Sequence, residues 1–119
     1  MLKRILFSLL AFLFFFLPMS GASNRFTLVI DAGHGGHDSG ARGAISSEKD
    51  LTLKFSLAFG RMVEQRCPDV KVVYTRTTDV FVPLHKRADI ANKNKADLFI
   101  SIHINAVMPG HLARGFQSY

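Results

Sequence analysis

One cysteine, Cys67, stands among 119 residues, so no internal disulfide can brace this chain. A domain of this size must then be held by apolar burial, with metal binding as an added support. Cys67 precedes Pro68 where a helix is expected to end, with no electropositive motif around it, which marks a structural thiol rather than a nucleophile. Long apolar runs are also scarce. Ile5–Leu17 is apolar except for Ser8, and it falls short of the roughly 20 residues a spanning helix needs. The basic residues are scattered rather than clustered, which argues against a nucleic-acid partner. Beyond the amino-terminal run there is no internal repeat and no low-complexity stretch.

That run has a meaning of its own. Lys3 and Arg4 precede it, Pro18 breaks it, and Ser20-Gly21-Ala22 supplies small residues at a cleavage site. The layout predicts a secretory signal peptide over residues 1–22 and export to the periplasm, the extracellular space or the cell wall, with no stable membrane anchor after cleavage. A retained anchor is the competing reading. Residues 23–119 lose Lys3 and Arg4, which lowers the net charge from +6 to +4. A mild excess of this sign suits an anionic polymer or surface without specifying one.

The mature chain opens on Phe26–Ile30, a short apolar run with β-branched content, as in a strand buried on both faces. Glycine-rich Asp31-Ala32-Gly33-His34-Gly35-Gly36-His37-Asp38-Ser39-Gly40 follows, a loop offering several metal or proton ligands. Ser47 with Asp50 resembles a capping box. Leu51, Phe55, Ala58, Phe59 and Met62 then recur at helical spacing up to Arg66, and Pro68 stops the helix. Residues 51–57 also alternate like a strand, but the cap and the length favour helix. Val70–Tyr74 is the second strand, and Thr75–Val82 a polar loop with Arg76 and Asp79. Pro83 suits the first turn of a second helix with Leu84, Ala88 and Ala91 facing inward. Asp97–Asn105 is the third strand, with Leu98, Ile100, Ile102 and Ile104 on one side and Phe99, Ser101 and His103 on the other. Gly115–Tyr119 begins a fourth.

Strand, helix, strand, helix, strand with short connections predicts an α/β fold, a mostly parallel sheet with helices on both faces. In such sheets ligands bind beyond the carboxyl ends of the strands. His34 lies just past the first strand, Glu48 at the start of the following helix, and His103 at the carboxyl end of the third strand. All three are therefore expected on one edge of the sheet. Two imidazoles and one carboxylate with room for water form a common catalytic zinc set.

These residues also carry a resemblance. Val29-Ile30-Asp31-Ala32-Gly33-His34-Gly35-Gly36, Asp38, Gly40-Ala41 and Glu48-Lys49-Asp50-Leu51 resemble the opening of the zinc-dependent N-acetylmuramoyl-L-alanine amidases. Thr75-Arg76, Asp79, Leu84, Arg87, Ala91-Asn92 and Ala96–His103 match the same family in the same order. The resemblance spans most of residues 23–119 and implies the amino-terminal portion of an amidase catalytic domain. It implies Zn2+ as cofactor, peptidoglycan as partner, and hydrolysis of the amide between the lactyl group of muramic acid and L-alanine. It assigns the zinc ligands to His34, Glu48 and His103, the same trio reached from the fold.

The family's catalytic domain is longer than this sequence, and its general-base glutamate lies in a late segment, here expected beyond Tyr119. Glu64 does not occupy that place. The alternative is a non-catalytic zinc or peptidoglycan-binding module, or an inactive fragment lacking the glutamate. Among the remaining polar residues, His37, Asp31 and Asp38 are read as loop support. Arg76 and Arg87 are read either as partners of stem-peptide carboxylates or as structural pairs of Asp79 or Asp89. His85 and His111 are read as solvated. The residues identify no activating partner.

Overall fold

A computed structural model describes residues 25–105. The signal peptide and the strand expected over Gly115–Tyr119 lie outside them, as does His111. Strand β1 (Phe26–Ala32) leads through the glycine loop to helix α1 (Glu48–Arg66), then strand β2 (Val70–Tyr74), helix α2 (Leu84–Lys93) and strand β3 (Leu98–Ile102). The sheet order is β2-β1-β3, and both pairings are parallel, with Ile30 opposite Tyr74 and Ile100. β1 is the central strand, which explains its apolar run: Val29, Ile30 and Ala32 are fully covered. Burying each Val or Ile side chain contributes about 1.5–3 kcal/mol. No helix among the described residues is long and apolar enough to cross a membrane.

The strand order places the helices on opposite faces. The chain moves from β1 to β2 in one direction and from β2 past β1 to β3 in the other, so right-handed crossovers fall on different sides. Side chains agree. Asp31, Phe99 and Ser101 share a cavity with Leu84, Arg87, Ala88 and Ala91 of α2. Tyr74, opposite Ile30, lies against Gly60 of α1.

Several local expectations change, and β3 (Leu98–Ile102) is shorter at both ends than the Asp97–Asn105 expected. β1 runs two residues further than the apolar run, because Asp31 and Ala32 still pair with Ser101 and Ile102 of β3. The buried stripe of α1 is Glu48, Thr52, Ser56 and Gly60, whereas Phe55 and Met62 are 54% and 46% exposed. Small side chains let the helix axis approach the sheet: a Cβ on Gly60 would collide with the Tyr74 ring. Lastly, α2 covers its face loosely. Leu84 is 84% exposed, and Leu84, Ala88 and Ala91 line a cavity of about 750 Å³ instead of closing on β3.

The helix ends follow local chemistry. Ser47 is the residue before α1, as expected, but it makes no side-chain bond to the helix backbone; its hydroxyl donates to the Asp50 carboxylate instead. At the other end the Cys67 N–H donates to Val63 O at 2.8 Å, directly before Pro68. Pro83 sits one residue ahead of α2.

Candidate metal centre

In a parallel sheet the carboxyl ends of strands and the amino ends of the following helices share one edge. His34 leaves the end of β1, Glu48 is the first residue of α1, and His103 follows the last residue of β3. Their ligand atoms all lie within 4.8 Å of one another. Glu48 Oε1 is the centre, 3.2 Å from His34 Nε2 and 3.2 Å from His103 Nδ1. The two imidazoles meet edge to face, centroids 4.9 Å apart. One carboxylate and two imidazole nitrogens converging this tightly form a donor set that fits a borderline-soft divalent cation.

Glu48 is held by two backbone donors. Its Oε1 accepts the Ile104 N–H at 2.8 Å and its Oε2 the Ala41 N–H at 2.9 Å. Burial opposes its ionisation, yet these bonds and the neighbouring histidines outweigh that cost and hold its pKa below the ordinary 4.5. The ligand is therefore an anion in place.

Two glycines make room for the trio. A Cβ on Gly33 would run into the His103 ring. At Gly40, with φ 61°, it would come within 2.6 Å of His34 Cδ2 and 2.7 Å of Glu48 Oε2. His34 itself adopts φ 59°, a left-handed conformation that costs a non-glycine residue of order 1–2 kcal/mol. Such strain persists only where surrounding contacts over-determine it.

Those contacts come from two buried arginines. Arg87 donates to Ala32 O at 2.7 Å and His34 O at 2.8 Å. Arg76 donates to Ala32 O at 3.0 Å and Gly33 O at 2.8 Å, and Thr52 Oγ1 also donates to Gly33 O. Arg87 further pairs with Asp31 Oδ1 at 2.7 Å. Asp31 accepts from Thr75 and Ser101 as well, so its partners are side chains rather than the loop backbone. Arg76 and Arg87, 3% and 5% exposed, thus clamp the loop, and neither pairs with Asp79 or Asp89 among the described residues. Burial lowers the Arg76 pKa, without removing its charge.

The other candidates separate from the trio. His37 is exposed and stacks on Phe81, centroids 4.1 Å apart. His85 and Glu64 are exposed, and Cys67 is a half-buried free thiol. Asp38 Oδ1 accepts the Gly40 N–H at 3.1 Å, the backbone role expected of it. The sequence reading missed its other oxygen, which faces His34 Nδ1 at 2.9 Å; a carboxylate four residues after a candidate ligand in a glycine loop was the available signal. That bond to His34, followed by the one from Gly40, lowers the Asp38 pKa.

A family model described as N-acetylmuramoyl-L-alanine amidase matches residues 28–119. The chain belongs to the N-acetylmuramoyl-L-alanine amidase family. It is 47% identical over 90 residues to an endolysin of Bacillus phage SPP1, covering 76% of this chain and 32% of that protein. It is 40% identical over 92 residues to the sporulation-specific N-acetylmuramoyl-L-alanine amidase of Bacillus subtilis, covering 77% and 34%. Among solved structures, the N-acetylmuramoyl-L-alanine amidase of Clostridium difficile 630 superposes with a TM-score of 0.71 at 38% identity, covering 77% of this chain and 50% of that one. The chain thus spans about a third of the length of those two curated relatives and half of that solved one.

Proposed function

We propose that this chain carries the metal-binding part of a zinc-dependent N-acetylmuramoyl-L-alanine amidase. The reaction adds water across the amide joining the lactyl group of muramic acid to L-alanine in peptidoglycan. The observation that carries the reading is the convergence of His34 Nε2, Glu48 Oε1 and His103 Nδ1 at the carboxyl edge of the sheet, in a chain of this family. In this reading those three residues hold Zn2+. Zinc held there would supply a bound water with its pKa lowered toward neutrality and a Lewis acid for the scissile carbonyl.

The chain's own residues do the positioning. Glu48 enters as an anion held by two backbone N–H groups. Two imidazole ligands and one carboxylate would leave a divalent cation there with a net positive charge. Arg76 and Arg87 fix the loop that carries His34. The cavity bounded by His34, His103, Phe99 and α2 opens beside the trio and gives the scissile bond a place to approach. The general base, which takes the water proton and passes it to the leaving L-alanine nitrogen, is assigned outside residues 25–105. Within them Asp31 and Asp38 beside the trio are already engaged. Residues 1–22 are assigned to a signal peptide, which delivers the enzyme to peptidoglycan outside the cytoplasm.

The test is release of stem peptide from a purified muropeptide by the full-length protein, with and without chelator. Release that stops on chelation and returns with zinc is expected. Hydrolysis indifferent to chelation rejects the zinc mechanism. Stoichiometric zinc binding with no hydrolysis favours a peptidoglycan-binding module. A His34→Ala variant that keeps stoichiometric zinc rejects the ligand assignment.

A further inference from the structure

His34 makes a second contact that the ligand reading leaves unused. Its Nε2 faces Glu48 at 3.2 Å, while its Nδ1 lies 2.9 Å from Asp38 Oδ2. The Asp38 carboxylate is aimed there by its other oxygen, which accepts the Gly40 N–H at 3.1 Å. The segment is closed by reciprocal backbone bonds, Gly35 N–H to Asp38 O at 2.9 Å and Asp38 N–H to Gly35 O at 3.1 Å. A neutral imidazole has one N–H and one lone pair. A carboxylate only accepts, so the nitrogen facing Asp38 must carry the proton for the contact to be a hydrogen bond. The contact to Asp38 is the one with hydrogen-bond geometry; with the proton there, Nε2 and Glu48 Oε1 face each other at 3.2 Å as two acceptors, an arrangement that a cation between them would join. The bond made by one ring nitrogen sets which nitrogen is free for a metal. His103 has no equivalent: among the described residues its recorded carboxylate contact is Glu48, on the ligand side.

We infer that Asp38 is a positioning residue for the metal centre, fixing His34 as its Nδ1–H tautomer and holding the ring so that Nε2 faces the ion. This rests on the reading of His34 as a ligand. The ring also packs edge to face on His103 and over Gly40, but those contacts do not select a tautomer; among the described residues the carboxylate on Nδ1 is Asp38. Partners of this kind are worth about 10–100-fold in metal affinity.

The experiment uses the full chain with zinc alone as probe. Ring nitrogen NMR reports the His34 tautomer, with and without zinc, and competition against a chromophoric chelator reports affinity. The variants are Asp38→Asn, Asp38→Ala and, as a control in the same turn, Ser39→Ala, whose hydroxyl bonds Gly40 O and Arg42 rather than His34. The expected result is an Nδ1–H His34 in the wild type, retained on zinc binding. Both Asp38 variants should then shift His34 toward the Nε2–H form and bind zinc about 10–100-fold more weakly at unchanged stoichiometry. Ser39→Ala should match the wild type in both readouts. A wild-type His34 that holds zinc through Nδ1 overturns the inference, even if neither Asp38 variant folds. So does an Asp38→Asn or Asp38→Ala protein with wild-type affinity and tautomer, or a Ser39→Ala loss as large as theirs. A wild type that binds no stoichiometric zinc overturns the ligand reading and this inference with it. Zinc binding lost in His34→Ala but untouched in Asp38→Ala overturns the inference alone.

Discussion

The Arg87 guanidinium donates to the carbonyl oxygen of His34 at 2.8 Å, across 53 positions of sequence and onto the one candidate ligand with a left-handed backbone. The same guanidinium forms a buried ion pair with Asp31, the two side chains 7% and 4% exposed. Removing one partner of a buried pair strands the other charge and costs about 3–5 kcal/mol. Arg87→Ala should therefore lower unfolding free energy by about that amount, and zinc affinity should fall as His34 O loses its donor. Arg87→Lys should recover part of the stability, since one ammonium cannot span Asp31, Ala32 and His34 together. Urea titration of the three proteins is the check; a loss below about 1 kcal/mol for Arg87→Ala contradicts the clamp.

Gly40→Ala should weaken zinc binding more than it weakens the fold. The added methyl group would crowd both His34 and Glu48 and would sit at positive φ, where a side chain costs of order 1 kcal/mol. Calorimetric titration with zinc, beside a denaturant curve, separates the effects. Unchanged zinc affinity would mean that the loop reshapes without disturbing the trio.

Ser56 gives the opposite case. It is fully buried on α1, and its hydroxyl finds no partner among the described residues. An unpaired buried hydroxyl costs about 1–3 kcal/mol, so Ser56→Ala should be neutral or stabilising. Ser56→Leu should destabilise by about 1–3 kcal/mol through overpacking where the helix lies close to the sheet. A stabilising Ser56→Leu would show that the interface has room to spare.

Acid should loosen the metal-free protein. Glu48 and Asp38 have folded-state pKa values below their ordinary 4.5 and 3.8. A depressed carboxylate contributes its stability above the unfolded value and loses it as pH falls through the folded one. Unfolding free energy, measured with chelator, should therefore drop as pH falls from about 4.5 through the lowered folded values. Glu48→Gln should flatten that slope. An equal slope in the variant would assign the acid sensitivity to other groups.

The sequence by itself determined the order of strands and helices and the edge on which His34, Glu48 and His103 meet. Strand periodicity, glycine and proline punctuation and the geometry of parallel βα units fix those without knowing a single long-range contact. What only the tertiary structure decided is which polar side chains partner which. The apolar spacing of Leu51, Phe55 and Met62 announces a helix, but not that Thr52, Ser56 and Gly60 are the side pressed on the sheet. That choice depends on how closely Tyr74 is approached. Arg76 and Arg87 looked equally fit for substrate carboxylates or for structural pairs with Asp79 or Asp89, and they lie inside, on the carbonyls of residues 32–34. Asp38 looked like loop support and also faces His34 Nδ1. Hydrogen-bond partners are set by positions within a fraction of an ångström, and here residues dozens of positions apart converge only after the sheet has formed.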